Sequence, residues 1–273
     1  MSFDTEKMRQ QTRDIIDMAS LTLHPQAYKM IEDESEVPEG AYRPGERGEH
    51  MALCQGIALT KREGKTVYMV KEDHWCWNPI VGLGHVACEP GMESFEIISS
   101  MLGIRDMEAA RDFFAKFPKL PAGKYRGILI APAEEADFEP DVILINCDNN
   151  FQLRFMIWGI KSQTGKMLDS SFDAIDSCIH SIVRPMLEHE YRITFPDPGD
   201  QERALADKGE VILSVPPEKL EELWTGCRII DSMGAGYHGM KTEMKFDFAR
   251  PPFYNDLFRI WGLDEGPVWE KAQ

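Results

Sequence analysis

No two of the six cysteines in this chain are closely spaced. They stand at 54, 76, 88, 147, 178 and 227, so the C-x-x-C pairs of zinc ribbons, thioredoxin-like motifs and ferredoxins are missing. Positive charge is scarce too: 30 Lys and Arg face 46 Asp and Glu, a net charge of −16. That balance argues against a nucleic-acid or anionic-membrane surface, since both require a basic face. No apolar run nears the roughly 20 residues that span a bilayer. The opening Met-Ser-Phe-Asp-Thr-Glu-Lys has no basic start followed by an apolar core, so no secretory signal is expected. Together these absences predict a cytoplasmic protein without disulfides, in which each cysteine serves first as a small buried hydrophobe.

What is present suits an ordinary globular chain: 273 residues, 43% of them hydrophobic, enough for a sizeable core. Helical spacing marks 4–20, 51–62, 107–117, 151–160 and 172–190, with Pro185 expected to kink or end the last. Strands are expected at 26–31, 66–70, 192–195 and 210–215, and a helix at 217–224 with Pro near its start. Residues 73–77 read as a turn leading to a helix with Pro79 in its first turn, and 196–200 as a tight acidic turn. The expected fold is a single α/β (or α+β) domain with a mixed sheet and packed helices, over 1–245. Residues 246–273 form a C-terminal extension. Phe246, Phe248, Phe253, Tyr254, Phe258 and Trp261 should pack it on the body or on a partner.

The most informative stretch is 127–146, Gly-Ile-Leu-Ile-Ala-Pro-Ala-Glu-Glu-Ala-Asp-Phe-Glu-Pro-Asp-Val-Ile-Leu-Ile-Asn. Two apolar strands flank a short acidic loop closed by Pro132 and Pro140. Two other segments go with it. One runs from Leu53-Cys54-Gln55-Gly56 through Asp73-His74-Trp75-Cys76 to Gly82-Leu83-Gly84. The other runs from Cys178 through Asp197-Pro198-Gly199-Asp200 to Ile212-Leu213-Ser214-Val215-Pro216. With these motifs the chain resembles the family called domain of unknown function 169 over about 21–226. The resemblance implies a fold and almost no chemistry. It implies membership of a group found mainly in anaerobic bacteria and archaea. It also implies that Cys54, Cys76 and Cys178 fall where the family carries cysteine. The chain departs from the family at Trp77-Asn78-Pro79, where small residues are expected, and in its aromatic tail.

Several constellations could carry chemistry. Cys54, Cys76 and Cys178 would supply three thiolates from distant segments, a set suited to zinc or to an iron–sulfur cluster with one open iron. His74, His85, Cys88 and His180 are further residues of ligand type. On extended chain, His74 and Cys76 would share a face, and His85 and Cys88 could meet on one helical turn. Cys76 precedes a helix start, where unpaired N–H groups favour a thiolate nucleophile with His74 or His85 as base. Glu134, Glu135, Asp137, Glu139 and Asp141 form an acidic loop that serves either acid–base work or a solvated surface. Gly234-Ala-Gly236-Tyr-His-Gly239 matches G-x-G-x-x-G but lacks the strand and helix of a dinucleotide site. A loop closing over a ligand fits better, with His238 as a catalytic group and Tyr237 beside the ligand. Trp75 and Trp77 would wall that ligand, while Trp158 and Trp224 read as core.

The expectation is therefore a protein with a cysteine-lined site, metal or iron–sulfur, that binds or transforms a small molecule in anaerobic metabolism. A metal-free binding module docked on a partner enzyme and a cysteine-nucleophile enzyme are the alternatives. A homo-oligomer or partner enzyme, no nucleic acid and no membrane complete the reading.

Overall fold

A computed structural model describes residues 3–236 and 254–263 of the chain. The two signature runs become β3 (Gly127–Pro132) and β4 (Val142–Cys147), buried at every position. They do not pair with each other. β1 (Gln26–Ile31) lies between them and pairs antiparallel with both. With β2 (Val67–Val70), β5 (Arg192–Thr194) and β6 (Val211–Val215) they form one six-stranded sheet, ordered β2-β3-β1-β4-β6-β5. All five ladders are antiparallel. Among the described residues, parallel pairing is confined to the isolated bridges Tyr42–Val67 and Met51–His74.

The continuous apolar runs follow from burial on both faces. In β4, Val142 and Leu144 face one core, while Ile143, Ile145 and Cys147 face the other. The second core is closed by α1 (Thr5–Ala19), α6 (Asn150–Thr164) and α9 (Leu220–Ile230). The first is closed by α2 (Leu53–Glu63), α3 (Trp77–Gly82), α4 (Glu93–Met101), α5 (Met107–Lys116) and α7 (Ser177–Glu188). The result is an α/β protein with helices on both sides of the sheet. No helix of the described residues is long and apolar enough to cross a membrane.

Helix ends follow local chemistry. Asp4 caps α1 through the Lys7 N–H at 2.9 Å. Gly64 ends α2 in the left-handed region at φ 67°. α7 is shorter than its pattern suggested. It starts only at Ser177, because Asp176 takes φ 69° and breaks the run from 172; Pro185 sits inside it. Conversely, the expected turn at 196–200 continues into α8 (Pro198–Arg203).

The chain divides into two units, Met1–Gly239 and Met240–Gln273. Within the second, α10 (Asn255–Ile260) carries ring contacts between Tyr254 and Phe258 at 6.5 Å and between Phe258 and Trp261 at 6.1 Å. Phe246, Phe248 and Phe253 lie outside the described residues.

Candidate functional site

The cysteines at 54, 76 and 178 each stand at the start of a helix. Cys54 is the second residue of α2, Cys76 the N-cap of α3 and Cys178 the second residue of α7. These starts meet beside that of α8. Cys54 and Cys76 pack with Ala52, Ala58 and Ala204. Asp197 caps two helices at once: its carboxylate accepts from the Asp200 N–H at 3.1 Å and from the Ser177 N–H at 3.3 Å. Asp200 accepts in turn from the Asp197 N–H at 2.9 Å and from the Ser177 hydroxyl at 2.5 Å. That reciprocal capping box ties α7 to α8.

A second tie joins α3 to α7. Asp176 makes no side-chain cap for its own helix. Its carboxylate accepts instead from the Asn78 amide. Asp176 is fully buried, Asn78 nearly so, and one oxygen of each is left without a partner. These two residues flank Cys76 and Cys178, so their bond sets how the two cysteine-bearing helix starts stand to each other.

The electrostatics of the thiols settle between two opposed effects. Helix N-termini favour thiolate; burial and carboxylates favour thiol. Here the second wins. Cys54 is pushed up to about 12, by burial first, then by Asp200, Asp197 and Cys76. Cys178 is raised by burial, then by Asp200, Asp197, Cys54 and Cys76. Cys76, the half-exposed member, is raised chiefly by burial, with Asp197 and Asp176 adding and the Asn78 N–H, then Arg203, opposing. Cys54 and Cys178 each lie within the field of another of the three thiols, and Cys54 and Cys76 share one apolar cluster. Among the described residues, no group of three or more His, Cys, Asp or Glu side chains stands ready to hold a metal ion.

The floor of the site is the sheet. Tyr28 of β1 is raised by burial, then by Asp200 and Cys178, and its hydroxyl donates to Gln26 at 3.3 Å. Lys61 lies two turns beyond Cys54 on α2. It is buried and paired with the buried Glu210, which also accepts from the Asn146 amide at 2.6 Å.

Other residues go elsewhere. Extended backbone at 74 and 76 turns both side chains inward and Trp75 outward. Trp75 is 76% exposed and stacks on His50 at 5.4 Å, whereas Trp77 packs on Phe114 and Phe117. The two indoles therefore do not face one slot. His74 turns toward His85. Cys88, Cys147 and Cys227 are buried in the two cores, and His180 is buried on α7. Trp224 donates to Asp14 at 2.8 Å between α9 and α1. Trp158 is 45% exposed. In the acidic loop, Asp141 accepts the Met30 N–H at 2.7 Å and Glu134 pairs with His24. Tyr237 and His238 lie outside the described residues; Gly234 takes φ 72°.

The sequence reading missed Asp176, Asn78, Ser177, Asp200 and Tyr28 as parts of the site. A signal was available in Asp197-Pro-Gly-Asp200, an acid three residues before another with Pro between, which marks a helix start. Nothing local could have shown that Asp176 would reach Asn78.

Asp176 allows a pH prediction. Burial first, then Asp173 and Asp197, lift its carboxyl to about 7 from 3.8, against the Asn78 bond. A folded-state value above the unfolded one means that the folded chain keeps a proton the unfolded chain loses. Asp176 should therefore cost stability as pH rises from about 4 to about 7, with the cost complete above that window. Melting temperatures from pH 4 to 8 should fall less steeply in Asp176→Asn than in the parent. Parallel profiles would refute it.

The fold and site thus define an α/β protein with a buried, thiol-lined and carboxylate-rich site where helix starts converge. The chain belongs to the family domain of unknown function 169, described as Uncharacterised ArCR, whose model matches residues 14–226. A similar protein is an uncharacterised one from Methanocaldococcus jannaschii, 24% identical over 222 residues, which cover 81% of this chain and 93% of the relative. No solved structure matches the chain.

Proposed function

We propose that this chain binds zinc or an iron–sulfur cluster through Cys54, Cys76 and Cys178, and engages a small molecule there. The observation that carries this reading is the meeting of three cysteine-bearing helix starts from distant segments, with Cys54 and Cys76 in one apolar cluster. The electrostatics also discriminate between readings. A thiol kept protonated by burial and carboxylates is a poor nucleophile at neutral pH, which weighs against Cys76 as the attacking group. The same negative surroundings attract a cation, which replaces the thiol protons on binding. Cys76 is the open side, where a small molecule would approach.

Anaerobic purification followed by elemental analysis tests this, with Zn2+ titration and iron–sulfide reconstitution of the full chain. One thiolate-bound zinc ion or one cluster per chain is expected, with proton release on zinc binding. Cys54→Ser, Cys76→Ser and Cys178→Ser should each weaken retention by roughly tenfold or more. A chain that takes up neither, or three serine variants that bind like the parent, would sink the reading.

A further inference from the structure

The histidine pair on the other side of α3 is not absorbed by the thiol site. His74 is 5% exposed, and neither of its ring nitrogens has a hydrogen-bond partner. A buried imidazole with both nitrogens idle is unusual, since buried polar atoms are nearly always satisfied. Its backbone is held on both sides: the Met51 N–H donates to the Asp73 carbonyl at 2.9 Å and the Trp75 N–H to the Met51 carbonyl at 3.1 Å. His85 comes to meet it from the far end of α3. The chain turns there at Gly84, with φ 74°, where an added Cβ would stand 2.6 Å from the Pro121 carbonyl oxygen. The His85 Nε2 likewise has no partner.

We propose that His74 and His85 form a cation site distinct from the thiol cluster, taking a zinc-type divalent ion between two imidazoles. Two observations support it. His74 is buried with both ring nitrogens free, and the His85 Nε2 is free as well, so idle nitrogens stand on two neighbouring rings. The spacing also fits. With nitrogen–metal bonds of about 2.0–2.1 Å and ring centres roughly 1.1 Å behind the nitrogen, two imidazoles on one ion at about 120° separate their centres by about 5.5 Å. The His74 and His85 centroids are 5.5 Å apart. Two protein donors leave the remaining positions for water or an exogenous ligand, the open arrangement of a working site rather than a structural one. His85 is only half buried.

Co2+, as a coloured stand-in for zinc, separates the two sites. Thiolate ligation gives an intense near-ultraviolet charge-transfer band; imidazole ligation does not. The full chain should bind one cobalt equivalent that His74→Gln and His85→Gln each lose, with any thiolate band unchanged. If the thiolate band is missing throughout but the histidine-dependent equivalent remains, the thiol reading fails and this one stands. Should a variant misfold, zinc titration of the parent followed by ring-nitrogen NMR gives the same answer: the resonances of both His74 and His85 should shift as zinc is added. Equal cobalt stoichiometry in parent and folded variants, or rings that do not respond to zinc, would overturn the proposal.

Discussion

Gly226→Ala should cost more than about 3 kcal/mol, beyond the usual range for one added methyl group in a packed core. The reason lies in how α6 and α9 cross. A Cβ at Gly226 would stand 2.1 Å from the Gly159 carbonyl oxygen and 2.4 Å from its carbon. Those are backbone atoms, so no rotamer change relieves the clash and the helices must separate. Separation would open contacts among Phe155, Met156, Leu223 and Cys227, all buried in the core under that face. Gly159→Ala should be milder: its nearest neighbours would be the Cys227 nitrogen at 2.8 Å and carbon of Gly226 at 3.0 Å. Gly209→Ala, with only the Asp148 carbonyl oxygen at 3.7 Å, should be nearly neutral. Urea midpoints of the three variants give the order. A Gly226→Ala variant as stable as Gly209→Ala would mean the helices do not pack this closely.

Close approach of that kind is invisible in a sequence, where Gly159 and Gly226 merely weaken two helical patterns. What was legible had local causes. The strand at 26–31, the helix ended by Gly64 and the paired apolar runs of 127–147 were readable from periodicity and punctuation. The insertion of β1 between β3 and β4 was not, because register depends on which faces are covered rather than on the strands themselves. The site divides the same way. Cysteines before or within the first turn of helices could be seen, and the family resemblance grouped them. The carboxylates that govern their protonation come from helix caps at Asp176, Asp197 and Asp200, which read locally as turn residues. Trp75 and Trp77 show the limit of adjacency: two residues apart, one stacks on His50 in solvent and the other enters the core.

Lys61→Met should destabilise the chain by about 3–5 kcal/mol, the typical cost of removing one partner of a buried ion pair. Lys61 and Glu210 are each 3% exposed and paired. Without the ammonium, Glu210 keeps the Asn146 amide at 2.6 Å and the Asp207 N–H at 3.2 Å. Two neutral donors do not balance a charge held away from water. The remaining counter-charge is Arg62, at 4.0 Å and partly exposed. Glu210→Gln strands Lys61 in the same way. The double variant Lys61→Met/Glu210→Gln, with no charge left to bury, should recover part of the loss, giving a favourable coupling in a double-mutant cycle. Denaturant titration of the parent, both single variants and the double variant measures the coupling. Additive single losses would mean that Lys61 and Glu210 are solvated rather than paired.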